Sequence, residues 1–461
     1  MDVLKPCGTY RSRLVATEIN VKAIPDLFAA TPPLETFKLL LRLHAKNKNH
    51  VLLHLDVSRA YLYAHALRDV YIRLPTEDTT EGEEHLCGKL DKAMYGTRDA
   101  AQAWQREYTS ALKELGFQVG KASPCHFHHP QWGVSLAVHG DDFLATGPEH
   151  RIKQLMARMA AKYKIKTTLL GEKHGRELRL LSRTIRWSEQ GIEYEGDDRH
   201  AKKIVADLDI KPGQTLVSPM TKVDPNGPGD TPLIRPEDVT KYRALAARCN
   251  FMGQDRPDVQ FAAKESSRRM SNPQWSDMER LMRIGKYLNN NCVAYQLFKW
   301  GDHDGTIHAY SDADWAGCHR TRKSTSGGLL SLGRSTVKHW SSPQKAIALS
   351  TSESELYAAT RTLQEAMGLR SVARDFGVEL DIILHIDASA TFSLAHRQGL
   401  GKNRHIEVQE LWLQDALDRH EYKLKKIPGN SNPADLMTKP ATREMIDKYM
   451  DMMGFKWKAT A

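Results

Sequence analysis

Two adjacent aspartates, Asp141 and Asp142, interrupt an otherwise apolar stretch of this chain. Residues 134–138 before them form an apolar, strand-like run, and residues 143–146 after them resume the same character. This pattern predicts a β-hairpin whose turn carries both carboxylates. Neighbouring carboxylates at a turn between buried strands suffer Coulomb repulsion and desolvation, so we expect a cation beside them. A divalent metal ion is the natural candidate, and Mg²⁺ with phosphate oxygens is its usual context.

A third carboxylate, Asp56, gives this pair a partner. Apolar side chains alternate along one face of residues 50–57, which predicts a strand with Asp56 on the other face near its end. A lone aspartate at a strand end is more often a cap or turn residue than a metal ligand. Three carboxylates on two adjacent strands, however, would make a two-metal site for in-line displacement at phosphorus. A second aspartate pair, Asp197-Asp198, lies in a polar stretch that predicts only a solvated loop.

Short motifs in this order resemble the reverse transcriptase of copia-type retrotransposons, in which an aspartate strand precedes an Asp-Asp hairpin. The resemblance covers most of the chain, and the ordered succession of the motifs is far more specific than any one of them. The segments that carry it are Arg13-Leu14-Val15-Ala16, Asp26-Leu27-Phe28-Ala29-Ala30-Thr31-Pro32, Leu55-Asp56-Val57-Ser58-Arg59-Ala60-Tyr61-Leu62, Val70-Tyr71-Ile72-Arg73-Leu74-Pro75, Lys89-Leu90-Asp91-Lys92-Ala93-Met94-Tyr95-Gly96 and the hairpin at 138–143. The resemblance implies a right-hand polymerase fold with fingers and palm, followed by a helical thumb or connection.

The resemblance also implies roles for individual residues. The carboxylates that would bind two metal ions, Mg²⁺ or alternatively Mn²⁺, are Asp56, Asp141 and Asp142. Tyr61 would be the aromatic gate beneath the sugar that disfavours ribonucleotides; the alternative is a core tyrosine. Arg13, or alternatively Arg11, would contact the nucleotide triphosphate; the alternative is a solvated basic N-terminus.

The chain departs from the family's pattern at two places. The hairpin has His139 and Gly140 where the family usually has an aromatic residue and a valine. Glycine suits a tight turn, but Gly140 removes a side chain that would pack near the nucleotide in the substrate site. The family's Lys-Gln-Ala-Pro-Arg-Gln-Trp stands here as Arg98-Asp99-Ala100-Ala101-Gln102-Ala103-Trp104. Asp99 therefore replaces a glutamine and is expected to turn an acid toward a polyanion, which would lower polymerase efficiency.

A second set of acids lies in the C-terminal third, where each acid follows a strand or opens a helix. Residues 306–310 predict a strand that leads into Asp312. Ser350 and Glu353 have the spacing of a capping box, which gives Glu353 a structural role. Glu355 is then left free in the first turns of the following helix.

Two further acids follow the same scheme. Alternating apolar residues at 380–386 predict a strand that ends at Asp387. Asn432 and Pro433 look like the cap and the first position of a helix that contains Asp435. Taken alone, Asp435 would be a first-turn carboxylate favoured by the helix dipole.

The order of strand-end Asp, helix-start Glu, strand-end Asp and helix-start Asp resembles the ribonuclease H domain of the same retrotransposon family. This resemblance implies a mixed five-stranded sheet and a second site with two Mg²⁺ that activate water and stabilise the leaving oxygen. The acids that would hold these ions are Asp312, Glu355, Asp387 and Asp435. Asp314 is the alternative to Asp312, and Glu353 is the alternative to Glu355. Residues 426–430 contain no counterpart of the mobile catalytic histidine of cellular ribonucleases H.

Size and composition agree with a globular protein that binds nucleic acid. A chain of 461 residues should hold two or three domains. Its formal net charge of +10 is expected of a nucleic-acid binder. The six cysteines are scattered without a CxxC pair, which indicates reduced, mostly buried thiols of an intracellular protein. We find no signal-peptide core and no apolar run of about 18 residues that would span a membrane.

The predicted fold class is α+β and α/β. The predicted domains are reverse transcriptase fingers and palm at 1–222, a linker with a helical thumb or connection at 223–298, a ribonuclease H-like domain at 299–440 and a C-terminal tail at 441–461. Prolines and glycines mark residues 223–240 as the clearest linker. Residues 178–187 predict a single strand. Lys264, Arg268 and Arg269 suggest a phosphate-facing stripe on a helix, or alternatively a solvated helix face.

The hypothesis is an RNA-directed DNA polymerase fused to a ribonuclease H, located in the cytoplasm or the nucleus. Its partners would be an RNA template, a DNA primer, deoxynucleoside triphosphates and the resulting RNA–DNA hybrid, held mainly through backbone and shape. The alternatives are an inactive retroelement remnant that binds nucleic acid, or an active ribonuclease H with a defective polymerase. No zinc knuckle, aspartic-protease motif or integrase zinc domain is found, so we expect the distal part of a polyprotein.

Overall fold

A computed structural model describes residues 2–4, 10–12, 14–19, 27–83, 85–222, 231–291, 293–302, 304–397 and 412–458. The chain divides into two compact units. The first comprises residues 1–40, 49–169 and 374–377, and the second comprises residues 41–48, 170–373 and 378–461. Residues 170–222, which the sequence grouped with the polymerase part, therefore lie in the second unit, and the domain bounds at 222, 298 and 440 stay predictions.

The first unit is built around a six-stranded sheet. Its elements, in chain order, are β1 (Asp2–Leu4), β2 (Tyr10–Ser12), α1 (Leu34–His44), β3 (His50–Val57), β4 (Tyr71–Arg73), β5 (Cys87–Lys89), α2 (Ala100–Glu114), β6 (Gln118–Val119), β7 (His126–His129), β8 (Val134–His139), β9 (Asp142–Pro148), α3 (Glu149–Lys162) and β10 (Ile165–Leu170). The strand order of the main sheet is β10-β3-β9-β8-β7-β6, and β1-β2 and β4-β5 form two small sheets.

The core of this unit fixes the end of β3. The four alternating apolar residues predicted within residues 50–57 are buried, whereas Asp56 is only half-buried. Trp104 from α2 and Ile152 and Leu155 from α3 belong to the same apolar cluster. Burying a large apolar side chain is worth roughly 1.5–3 kcal/mol. Sliding β3 by one residue would forfeit that burial, so its register and the position of Asp56 are strongly specified.

The second unit holds two five-stranded sheets and most of the helices. Its elements, in chain order, are β11 (Glu177–Leu180), β12 (Arg183–Ser188), β13 (Gly191–Glu195), α4 (Asp198–Asp207), α5 (Pro236–Gly253), α6 (Pro257–Ser267), α7 (Trp275–Leu288), β14 (Ala294–Lys299), β15 (Thr306–Asp314), β16 (Thr325–Leu332), β17 (Ser335–Pro343), α8 (Thr351–Asp375), β18 (Asp381–Ile386), α9 (Ser389–Ala395), α10 (Trp412–Asp418), β19 (Lys423–Lys426), α11 (Arg443–Met452) and β20 (Phe455–Trp457). Within the described ranges, every helix is too short or too polar to cross a bilayer.

One of these sheets is the mixed five-stranded sheet that the sequence predicted. Its order is β17-β16-β15-β18-β19; the first two pairs are antiparallel and the last two are parallel. The predicted apolar face of α8, which includes Leu356, Ala359 and Leu363, is buried. Gly377 follows α8 at φ 73°, a left-handed conformation that glycine adopts without steric cost at a helix end.

The other sheet, β11-β12-β13-β14-β20, is antiparallel throughout. It shows that the single strand predicted at 178–187 is wrong. The chain turns back at Leu181 and Ser182, whose φ angles are 48° and 67°, so β11 and β12 pair as a hairpin. Neither residue is one of those that usually mark such a turn, so the sequence carries no turn signal there. The buried Arg183 donates to Leu181 O and pairs with Asp255 at 3.0 Å, which stabilises the turn from inside.

Two boundary predictions in the second unit also need correction. Helix α5 begins with Pro236 at its first position, so the linker predicted at 223–240 ends earlier than expected; residues 223–230 lie outside the described residues. The segment 441–461 is not a simple tail. It contains α11 and β20, and β20 pairs with β14 through Gln296 opposite Phe455.

The solvated face predicted for the basic residues in and just after α6 is wrong, whereas the phosphate-facing stripe stays a prediction. Lys264 is only 10% exposed, pairs with Glu265, and donates to Thr325 Oγ1 at 2.9 Å. Arg268 pairs with the same Glu265 at 2.9 Å. Arg269 donates to the side chain of Gln274. All three of these basic side chains therefore have partners within the fold.

The aspartate pair that was interpreted as a solvated loop has a structural role. Asp197 caps α4, because its side chain accepts a hydrogen bond from Arg199 N at 3.1 Å. Asp198 lies in the first turn, where the helix dipole favours a carboxylate, and pairs with Lys202. The side chain of Arg199 also pairs with Asp197 at 2.7 Å, so one helix end and two basic side chains compensate this pair with no need for a metal ion.

Candidate active sites

The first candidate site lies in the first unit, where β3, β8 and β9 meet. Asp56 stands opposite Asp142 in the antiparallel β3-β9 pair. Gly140, at φ 66°, and Asp141 form the turn between β8 and β9. A side chain at position 140 would meet no atom within 4 Å, so the turn faces open space. The predicted hairpin and its partner strand are confirmed.

Two hydrogen bonds fix this turn to its surroundings. Val57 N, at the end of β3, donates to Asp141 O at 3.0 Å. The indole Nε1 of Trp104 on α2 donates to Gly140 O at 2.8 Å. The backbone of the turn that carries the two aspartates is therefore hydrogen-bonded both to the partner strand β3 and to helix α2.

Two side chains that the sequence did not predict, a histidine and a lysine, lie at these acids. His54 Nε2 lies 2.8 Å from Asp142 Oδ1, and Lys166 Nζ lies 3.8 Å from Asp56 Oδ2. His54 precedes Asp56 by two residues on β3, so both side chains lie on the same face of the strand. This spacing could have indicated His54 as a neighbour of the acids. Over the described part of the chain, the three acids of this site do not each bring an oxygen within 4.8 Å of the others.

Tyr61 lies beside the aspartate turn. It belongs to a 3₁₀ helix, Ala60–Tyr63, that directly follows β3, and its ring centroid is 4.7 Å from that of Tyr95. Partial burial, together with the charge of Asp141, raises the pKa of the Tyr61 hydroxyl. Tyr61 is thus half-buried and close enough to Asp141 to feel its charge. This position decides neither for a core tyrosine nor for an exposed gate.

The acid expected to face a polyanion has a partner within the fold. Asp99 precedes α2, its side chain is 7% exposed, and it pairs with Arg68 at 3.2 Å. Arg68 also pairs with Glu18 at 2.5 Å. Asp99 therefore has a cationic partner within the fold, which it shares with Glu18, and its effect on a bound polyanion stays a prediction. Arg13 and the side chain of Arg11 lie outside the described residues.

The second candidate site brings three acids together from three elements of the second unit. Strands β15 and β18 run parallel with Tyr310 opposite His385, so Asp312 and Asp387, two residues farther along, reach the same edge of the sheet. Glu355 comes from the second turn of α8. One carboxylate oxygen of each acid lies within 4.8 Å of the others.

The alternative glutamate has a different partner. Glu353 Oε2 accepts a hydrogen bond from Leu349 N at 2.6 Å, and Ser350 Oγ accepts one from Glu353 N at 3.2 Å. Tyr357 also donates to Glu353 Oε1 at 2.6 Å. Glu353 thus closes the N-terminal end of α8, and Glu355 is the residue that turns toward Asp312.

The fourth predicted acid, Asp435, lies beside the three-acid group. Asn432 caps a 3₁₀ helix, Pro433–Met437, as its spacing with Pro433 predicted, although the helix is not α-helical. Asp435 Oδ2 accepts a hydrogen bond from Tyr449 at 3.2 Å, and Oδ1 lies 2.8 Å from Lys439 Nζ. Asp435 is therefore held by a phenol and an ammonium group.

Burial raises the pKa of every acid in this cluster; neighbouring carboxylates raise it further, while the ammonium group of Lys439 lowers it. Burial raises the pKa of Asp312 to about 6 and, with the charge of Asp312, that of Glu355 to about 9. The pKa values of Asp387 and Asp435 are raised in the same way. Several buried carboxylates that resist ionisation fit a site for a divalent cation, since such an ion stabilises the ionised form of all of them.

These shifts predict a pH-dependent stability. In a chelator, the free energy of unfolding should fall as pH rises from about 5 to about 9. The folded-state pKa values of Glu355 and Asp312, about 9 and about 6, exceed their ordinary values of 4.5 and 3.8, so their stabilisation is present at low pH and lost as pH rises through the folded-state values. Saturating Mg²⁺ should remove this fall. Melting temperatures followed by circular dichroism from pH 5 to 9 measure it.

The control for this profile is Glu355→Gln, which cannot lose a proton. Its melting temperature in chelator should depend less on pH than that of the unchanged chain. Equal slopes for the two proteins would contradict the assignment of the pH dependence to this cluster.

Comparisons with known proteins agree with this geometry. Residues 2–221 match the family model described as reverse transcriptase (RNA-dependent DNA polymerase). The chain is 24% identical over 477 residues to the retrovirus-related Pol polyprotein from transposon TNT 1-94 of Nicotiana tabacum, covering 96% of this chain and 34% of the relative. It is 25% identical over 461 residues to that of transposon RE1 of Arabidopsis thaliana, covering 96% and 30%. The chain spans about a third of the length of these curated relatives.

A solved structure shares the fold. The foamy viral protease-reverse transcriptase, determined in complex with an RNA/DNA hybrid, superposes with a TM-score of 0.52 at 13% sequence identity, covering 90% of this chain and 48% of that one. A likeness at this level of identity concerns the fold alone. Together with the mixed five-stranded sheet, it confirms the predicted architecture.

Proposed function

Since this chain is a relative of copia-type Pol polyproteins with a reverse transcriptase match in its N-terminal part, we propose that it is an RNA-directed DNA polymerase joined to a ribonuclease H. The observation that carries the ribonuclease H half is the convergence of Asp312, Glu355 and Asp387 within 4.8 Å. The polymerase half rests on the hairpin that sets Asp142 opposite Asp56. Its partners are an RNA template, a DNA primer, deoxynucleoside triphosphates and an RNA–DNA hybrid.

The proposed polymerase site extends a primer by in-line attack of its 3′-hydroxyl on the α-phosphorus of a nucleotide. Asp56, Asp141 and Asp142 would hold Mg²⁺ or Mn²⁺ there. The hydrogen bonds from Val57 N and Trp104 keep the turn in position. His54 and Lys166, which lie beside two of the acids in the free protein, would have to leave those oxygens when substrate and ions enter.

The proposed ribonuclease H site hydrolyses the RNA strand of a hybrid. Asp312, Glu355, Asp387 and Asp435 would hold its divalent ions. At either site the bound ions supply Lewis-acid activation of the attacking oxygen and stabilise the charge on the leaving oxygen. The parallel strands β15 and β18 and the capped end of α8 fix the backbone of Asp312, Asp387 and Glu355, so these three acids are already close together before an ion binds.

A second candidate function is a ribonuclease H whose polymerase is weak. Two observations favour it. The hairpin carries His139 and Gly140. In the described residues, the first site does not gather its three acids within 4.8 Å, whereas the second site gathers three of its acids within that distance. Asp99 supports this candidate less directly, since it pairs with Arg68 within the fold.

One pair of assays tests the proposal on the full chain. Primer extension on an RNA template and cleavage of labelled RNA in an RNA–DNA hybrid are measured with Mg²⁺ and with chelator. We expect both activities with Mg²⁺ and neither with chelator. Cleavage without extension would favour the second candidate. A chain that shows a cooperative melting transition but neither activity would be an inactive remnant, and the proposal would be wrong.

Tyr61 is proposed as the gate against ribonucleotides because it lies within the field of Asp141 and is only half-buried. Tyr61→Ala should raise the use of ribonucleotides relative to deoxynucleotides by about 10-fold to 100-fold, the scale on which steric pockets discriminate. The measurement is the ratio of kcat/KM for the two nucleotides in single-nucleotide extension. Tyr61→Phe keeps the ring and should keep the ratio. An unchanged ratio in Tyr61→Ala would leave Tyr61 a packing residue.

A further inference from the structure

Lys439 lies directly after the 3₁₀ helix Pro433–Met437 and reaches into the acid cluster. Its Nζ is 2.8 Å from Asp435 Oδ1 and 3.8 Å from Asp312 Oδ2. The hydroxyl of the adjacent Thr438 donates to the same Asp312 oxygen. One ammonium group therefore bridges two of the four acids, and Asp312 also belongs to the three-acid group.

The cation of this bridge is partly exposed, whereas its acids are buried. The Lys439 side chain is 43% exposed, while those of Asp312 and Asp435 are 5% and 8% exposed. Asp435 is further held by Tyr449, which donates to its second oxygen at 3.2 Å. A lysine carries its charge on a flexible four-carbon stem, so it can leave the cluster by rotating its side chain into solvent.

The position of Lys439 matters for any ion that uses these oxygens. Two cations within about 4 Å of each other repel, and burial strengthens that repulsion. A divalent ion held by Asp312 and Asp435 would compete with Lys439 Nζ for the carboxylate oxygens that the ammonium contacts. The ammonium and the ion therefore exclude each other from the same pair of carboxylates.

We propose that Lys439 is a positioning residue that serves as the internal counter-ion of the Asp312–Asp435 pair and must be displaced before a divalent ion occupies that pair. The inference deepens the proposed ribonuclease H site and rests on it for the nature of the ion. Lys439 keeps the acids together in the metal-free protein, and it lowers the affinity of the cluster for the ion that replaces it.

Mn²⁺ titration of the full chain tests this. The parent protein carries Asp56→Asn, Asp141→Asn and Asp142→Asn, so that the remaining acid cluster dominates the signal. Relative to this parent, Lys439→Met should bind Mn²⁺ about tenfold more tightly in calorimetry, the change expected for the loss of one close charge. Its melting temperature in chelator should be lower than that of the parent, because the acids lose their counter-ion.

Three further variants sharpen the result. Lys439→Arg keeps the cation and should bind Mn²⁺ like the parent. Lys456→Met is the matched control. Lys456 is 44% exposed, and its Nζ pairs with Asp451 Oδ1 at a distance of 2.5 Å, outside the acid cluster. This variant should change neither the Mn²⁺ affinity nor the melting temperature. Lys439→Gln repeats the test if Lys439→Met fails to fold. Mn²⁺ affinity that is unchanged or weaker without the lysine would overturn the inference.

This outcome is separable from that of the proposed function. Tighter Mn²⁺ binding in Lys439→Met supports the role of Lys439 even if the unchanged chain cuts no hybrid, in which case only the proposed ribonuclease H activity fails. Hybrid cleavage by the unchanged chain with no affinity change in Lys439→Met supports the activity and overturns the role of Lys439.

Discussion

Primer extension is expected to fall by about 10³-fold or more when Asp141 is replaced by asparagine, while cleavage of an RNA–DNA hybrid stays unchanged. Asparagine has nearly the same shape but no charge, so the substitution removes a candidate metal ligand. It keeps the backbone hydrogen bond from Val57 N to the carbonyl of residue 141. A 10³-fold loss corresponds to about 4 kcal/mol of transition-state stabilisation. Single-turnover extension on an RNA template, with hybrid cleavage measured on the same sample, checks this.

The chain supplies a matched control in its other aspartate pair. Asp198→Asn changes the second aspartate of a doublet in the same way, at a position where the carboxylate pairs with Lys202 on the surface of α4. This variant should retain both activities. Extension by Asp141→Asn at the rate of the unchanged chain would remove the hairpin from the proposed polymerase site.

The second large effect is expected from Asp387→Asn. Hybrid cleavage should fall by about 10³-fold or more while primer extension is retained, because one of three converging charges is lost. The substitution also relieves repulsion among buried acids, so the melting temperature in chelator should rise or stay constant. A loss of activity caused by misfolding would lower it. Cleavage of end-labelled RNA in a hybrid and thermal melting of the same protein separate the two explanations.

Asp381→Asn is the control for this variant. Asp381 opens the same strand, β18, but its side chain is exposed at the opposite end from Asp387. It should leave cleavage, extension and melting unchanged. If Asp387→Asn cuts the hybrid as fast as Asp381→Asn does, the three-acid group is not the site of the proposed ribonuclease H activity.

Local patterns predicted the framework of both candidate sites. Alternation in β3 gave the face on which Asp56 lies, alternation at 380–386 placed Asp387 at the end of β18, and the capping-box spacing at the start of α8 separated Glu353 from Glu355. These predictions succeed because they depend on the period of one strand or on the first turn of one helix. The roles of the acids as metal ligands remain proposals that the variants above test.

The failures concern partners that are distant along the chain. Asp99 pairs with Arg68, and Lys264 donates a hydrogen bond to Thr325. Both pairings depend on the folded arrangement and not on local spacing. The turn at Leu181 is of the same kind, because the buried ion pair of Arg183 with Asp255 helps to stabilise it. Asp197 differs, since an aspartate just before a helix is a local capping pattern that the sequence analysis overlooked.

The pairing of β20 with β14 bears on how pieces of this protein can be made in isolation. A fragment cut at residue 440, where the ribonuclease H-like domain was expected to end, would lack α11 and β20. It would leave the backbone groups of β14 unpaired along one side and uncover apolar surface around Leu436 that packs with Ile446 and Phe455. Open strand edges beside exposed apolar patches promote aggregation. Expression fragments of this region should therefore extend at least through Trp457.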